Sequence, residues 1–161
     1  MKLLYLFTFF FVASMSSKTL TVTSPAFKEN EMIPAKYTCI GEDINPEISI
    51  TGIPEEAKSL ALIMDDPDAP SGDFVHWVMW NIPTDGKIAE NSAPGEQGLN
   101  GMDENKYKGP CPPSGTHHYH FKVYALDTKL ELSNETDKQG LLKAMEGHVL
   151  SSGELVGLFK K

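Results

Sequence analysis

Arginine is absent. All fourteen basic residues of the 161-residue chain are lysines, set against 22 Asp and Glu, for a formal charge of −8. That balance argues against a nucleic-acid partner, which would call for a basic face. It also removes the guanidinium fork with which many proteins grip phosphate, so an anion site here must use His, Lys or backbone N–H groups. Cysteine is scarce: only Cys39 and Cys111 occur. Neither sits in a CxxC or CxxH pair, which disfavours a zinc site. No internal repeat, low-complexity tract or linker divides the chain. Beyond residue 13 no apolar run approaches the roughly 20 residues of a membrane-spanning helix.

What is present begins with an address. Met1-Lys2 is a minimal charged head, residues 3–13 are an uncharged apolar run, and small residues follow at Ser14, Ser16 and Ser17. This order is that of a secretory signal peptide. The expectation is a signal over residues 1–16, cleaved near Ser16, and an exported, periplasmic or secreted single domain over residues 19–161. An oxidising compartment allows Cys39 and Cys111 to form a disulfide; two separate buried thiols are the alternative.

The mature region reads as mostly β. Residues 19–24 (TLTVTS) and 47–53 alternate as half-buried strands, and 59–64 (SLALIM) is almost wholly apolar, as for a strand buried on both faces. Residues 75–82, 117–126 and 154–159 are further strands by their β-branched and aromatic content. One helix is signalled, by a capping box with Thr136 as N-cap and Gln139 three residues on, followed by Leu141, Leu142, Met145 and Val149 at helical spacing. A long Gly/Pro-rich connection over residues 91–114 looks structureless, and loops of that length are often functional.

Three clusters carry chemistry. Asp65-Asp66-Pro67-Asp68-Ala69-Pro70 follows the buried strand, and its prolines hold Asp66 and Asp68 in place; a solvated turn is the bland reading. His76 opens the next strand close by, with Trp77 expected on the opposite face. Residues 109–119 (GPCPPSGTHHY) form the third. Strand parity puts His117 and Tyr119 on the core-directed face of Phe121 and Val123, and His118 and His120 on the other. That HxH pair alone supplies too few ligands for zinc or iron. Imidazoles, a phenol and loop N–H groups can donate to an anion while Asp orients the imidazoles.

DPDAP (66–70), HW (76–77) and GPCPPSGTHHYHFKVYAL (109–126) resemble the phosphatidylethanolamine-binding protein family, which includes the Raf kinase inhibitor proteins. YTCIGEDINP (37–46) and the end EGHVLSSGELVGLFKK (146–161) are similar to its bacterial YbhB/YbcL-like branch. The resemblance spans residues 20–161. It implies a β-sandwich with a C-terminal helix and a small anion pocket at strand ends. In that pocket Asp66, Asp68, His76, His117 and Tyr119 would be the side chains, and Gly109, Pro110, Pro112 and Pro113 the rim. The family often has Arg where His118 stands here.

The expected function is non-catalytic binding of a small phosphate- or carboxylate-bearing ligand, a phospholipid head group among them, with no cofactor or metal. The alternatives are an exported inhibitor of a protein partner such as a kinase or protease, and a metal-dependent or acid–base hydrolase using Asp66, Asp68, His76 and His117. Ser114 and Thr116 lie near the histidines but lack a nucleophile-elbow context.

Overall fold

Two sheets of unequal size face each other in this computed structural model, which describes residues 19–161. The expected signal peptide, residues 1–16, lies outside the described residues. The small sheet is antiparallel, in the order β1 (Thr21–Thr23), β3 (Ile48–Thr51) and β6 (Lys87–Ile88). The large sheet runs β2 (Glu31–Met32), β9 (Val149–Lys160), β8 (Thr116–Leu126), β4 (Ser59–Asp66), β5 (Phe74–Ile82) and β7 (Glu96–Gln97). Its pairs are antiparallel except β2 with β9. The architecture is the mostly β sandwich with one C-terminal helix that the sequence led us to expect.

Every residue of β4 is buried, because both faces of the large sheet are covered. Leu60, Leu62 and Met64 join Val22, Ile48, Ile50 and Ile88 of the small sheet in the main core. Ala61 and Ile63 point the other way, into a second core closed by Leu130 and by Leu141 and Met145 of α1 (Lys138–Met145). The period of two thus splits one apolar run between two cores.

Two details differ from expectation. The helix is capped by Asp137, whose carboxylate accepts the Gly140 N–H at 2.8 Å, and not by Thr136. Asp caps as well as Thr does, and the helix starts one residue later than the Thr136–Gln139 pattern suggests. It also stops before Val149: Gly147 takes a φ of 79°, and Val149 opens β9. Residues 91–114, expected to lack structure, contain β7 and a turn built on Asn100. The Asn100 side chain donates to the Lys106 carbonyl and accepts the N–H groups of Met102 and Glu104.

Candidate functional site

At one end of the large sheet the alternation of β4 and β8 sends Asp66, His117 and Tyr119 toward the main-core side. His76 reaches the same side by another device. Met64 pairs with Trp77 and Asp65 with Val75, so His76 has no partner on β4; it is the extra residue of a β-bulge. A bulge re-aims side chains. Val75 and Val78 both pack on the helix-side core, while Trp77 belongs to the main core and the His76 ring lies 5.2 Å from that of Tyr119. His76 and Trp77 therefore share a face, contrary to the alternation read from the sequence.

Asp66, His76 and His117 border a cavity of about 270 Å³, while Tyr119 does not line it. Asp66, His76, His117, Lys108 and Ser71 supply its polar side chains; Ala69, Pro70, Phe74, Met102, Pro112 and Pro113 supply most of the rest. Both imidazoles are tied at Nδ1. His117 Nδ1 bonds Asp66 Oδ2 at 2.7 Å, with both side chains buried. His76 Nδ1 donates to the Lys108 carbonyl at 2.7 Å, and the Lys108 N–H donates back to the His76 carbonyl. A carbonyl only accepts, so the proton of a neutral His76 sits on Nδ1. Burial holds the His76 ring below the ordinary histidine range, despite the pull of Lys108, Asp66, Asp65 and Asp43 toward the charged form. Each ring keeps Nε2 as its untied nitrogen.

Tyr119 is fully buried, its hydroxyl near the Asp66 carboxylate and the Cys111 backbone N–H but without a hydrogen bond of ordinary geometry to either. Burial and the Asp66 charge push its ionisation far up, so it stays a phenol.

Asp68 is placed elsewhere. It accepts both the backbone N–H and the ring Nδ1 of His118 on an exposed surface, outside the cavity lining. Backbone geometry explains this: the Asp68 N–H donates to Asp66 Oδ1, a tight turn that rotates the next carboxylate outward. The ring of His120 pairs with Glu154 in the same outward layer.

The rim is clamped from below. Tyr107 donates its hydroxyl to the Tyr37 carbonyl, and the Cys39 N–H donates to the Pro110 carbonyl. Asp43 accepts the Gly109 N–H at 2.6 Å and the Lys108 ammonium at 3.0 Å. Cys39 and Cys111 form a disulfide, and Cys111 itself lines the cavity. Gly109 is required here, since a Cβ would meet Asp43 Oδ1 at 2.6 Å and the Tyr37 carbonyl at 2.7 Å. Of the rim residues expected from sequence, Gly109, Pro112 and Pro113 line the cavity, while Pro110 serves as an anchor. Sequence reasoning missed Phe74, Met102, Lys108 and Asp43. The last two stand beside or within the quoted motifs, but only the contact between residues 37–43 and 107–111 shows their use. Among the described residues no group of three or more His, Cys, Asp and Glu is arranged to hold a metal ion, and no helix is long and apolar enough to cross a membrane.

The family model for phosphatidylethanolamine-binding protein matches residues 23–160. The chain belongs to that family. A UPF0098 protein of Pyrococcus horikoshii is 52% identical over 149 residues, covering 86% of this chain and 75% of its own. The crystal structure of a putative phosphatidylethanolamine-binding protein homolog from Chlamydia trachomatis superposes with a TM-score of 0.86 at 41% identity, covering 90% of this chain and 99% of its own. That of Escherichia coli YbcL, described as a new member of the mammalian family, gives 0.81 at 27% identity, covering 88% and 98%. The two solved structures share this fold over nearly their whole length.

Proposed function

We propose that the cavity binds a small anionic ligand, phosphate- or carboxylate-bearing, and does not transform it. The carrying observation is the pair of imidazoles, each tied at Nδ1 to a protein acceptor and each keeping Nε2. Their roles divide. Asp66 fixes the His117 ring at Nδ1, and in its imidazolium form the ring donates its Nε2–H to an anionic oxygen. His76, held neutral by burial, accepts from a protonated oxygen or an ammonium. The cavity suits a phosphate or carboxylate head, and its apolar border suits a carbon chain attached to it. A phospholipid head group is one ligand of this kind.

Non-catalytic binding is favoured over hydrolysis by the hydroxyls. Ser71, the aliphatic hydroxyl of the lining, is exposed and joined to neither imidazole by a hydrogen bond. Ser114 and Thr116 do not line the cavity. No nucleophile–base pair is thereby formed. Export to the periplasm or beyond belongs to the same proposal, supported by the apolar run over residues 3–13 and by the disulfide.

Titrating inorganic phosphate into the oxidised full-length protein while following the His76 and His117 ring protons by NMR tests this reading. Both rings should shift to saturation, His117→Ala should weaken binding at least tenfold, and His118→Ala should leave it unchanged. Unmoved rings at millimolar phosphate, or equal losses in the two variants, would overturn it.

A further inference from the structure

Lys108 is the one lysine among the cavity-lining residues, yet its ammonium is 3.0 Å from Asp43 Oδ2. Asp43 does not line the cavity. Its other oxygen is committed to the Gly109 N–H, so the carboxylate is fixed on the rim and cannot swing away from the lysine. The inventory of charge beside the ligand is then small: Asp66, the Lys108–Asp43 pair, which cancels, and His117, which can offset Asp66 when protonated. At best the empty site is neutral. A second negative charge on the ligand would enter without a cation to meet it, and an unpaired charge in a part-buried site is costly.

We propose that Asp43 is a specificity-determining residue that withholds the Lys108 ammonium from the cavity, so that the site discriminates against dianions. This rests on the anion-binding reading above and assigns a role to the 37–46 segment. The segment lines no part of the cavity, and its contribution is electrostatic as well as mechanical. The effect has a counter-intuitive part: removing a carboxylate outside the wall should strengthen anion binding.

Asp43→Asn is well suited to the test. Asn keeps an oxygen to accept the Gly109 N–H and tolerates the φ of 57° found at this position, so the rim geometry is preserved while the charge is lost. The probes are inorganic phosphate, mostly a dianion at about pH 8, and dimethyl phosphate, a monoanion. With the disulfide intact, Asp43→Asn should bind phosphate roughly threefold to fivefold tighter, with a smaller gain for dimethyl phosphate. Lys108→Met alone leaves the Asp43 charge unpaired outside the wall and should weaken phosphate binding by no more than about threefold, the range of a part-exposed ion pair, and added to Asp43→Asn it should abolish the gain. Wild-type binding with no gain in Asp43→Asn overturns the inference and leaves the binding reading standing. So does a loss in Lys108→Met as large as that in His117→Ala, because Lys108 would then contact the ligand directly. Absence of any phosphate response in wild type and Asp43→Asn alike overturns the binding reading and the inference together.

Discussion

Asp65 and Asp66 are consecutive, both buried, and face opposite sides of one strand. Asp65 looks toward the helix side, where Lys122 contacts both its oxygens at 2.8 Å and Lys138 one of them at 2.6 Å, with Asp73 completing the cluster. Asp66 looks toward the cavity, where it accepts from a single imidazole and from the Asp68 N–H. One carboxylate is saturated by fixed cations. The other is tied to a single imidazole and borders the cavity. The first arrangement stabilises the fold; the second leaves electrostatic capacity for a ligand. The difference arises from a single step of strand parity.

Substitution at the two positions should separate these roles. Asp65→Asn strands two lysines around a neutral amide and should cost about 3 kcal/mol of stability, since breaking a buried pair leaves uncompensated charge. Asp66→Asn keeps the acceptor for the Asp68 N–H and should cost only about 1 kcal/mol, yet it should weaken phosphate binding severely. Denaturant melts and phosphate titrations of both proteins provide the check. Equal stability losses would mean that the cavity-side carboxylate is as structural as its neighbour.

A smaller effect sharpens the cavity side. His76 is depressed in the folded protein relative to about 6.5 in the unfolded chain. Its contribution to stability is therefore complete above about pH 6.5 and lost as the pH falls below that value toward the folded pKa, where the unfolded chain binds the extra proton. Midpoints of unfolding measured between about pH 7.5 and 5 should fall less steeply in His76→Gln than in wild type. Parallel slopes would place the acid sensitivity elsewhere.

Smallest of all is the expected effect of Tyr119→Phe. Its buried hydroxyl has no hydrogen-bond partner of ordinary geometry among the described residues, so its removal should leave the ligand-free protein unchanged or up to about 1 kcal/mol more stable. Calorimetric melting that instead shows a loss of 2 kcal/mol or more would reveal a partner for the hydroxyl, and the cavity side would then be as saturated as the helix side.

Much of this was legible from residues in order. The almost wholly apolar run 59–64 announced a strand between two layers, and the alternation of residues 117–126 placed His117 and Tyr119 on the buried face, where they lie. Asp68 was misplaced because the turn that rotates it outward depends on a hydrogen bond to Asp66, two residues back. His76 and Trp77 were expected on opposite faces and share one, because a bulge is a disagreement between two strands and neither strand announces it alone. Asp43 and Lys108 could not be paired in advance: they are 65 residues apart, joined only when the 37–43 segment folds beneath the rim.

The bulge also makes His76 supernumerary to the architecture. Without that residue, Val75, Trp77 and Val78 would alternate without interruption, helix side, core, helix side, and both hydrophobic layers would remain filled. The cavity gains its buried imidazole through one inserted position in a strand otherwise dictated by packing. Loss of a single codon would thus separate scaffold from site, yielding a chain with the same sandwich and one ring fewer. One residue of strand length separates a cavity with two imidazoles from a cavity with His117 alone.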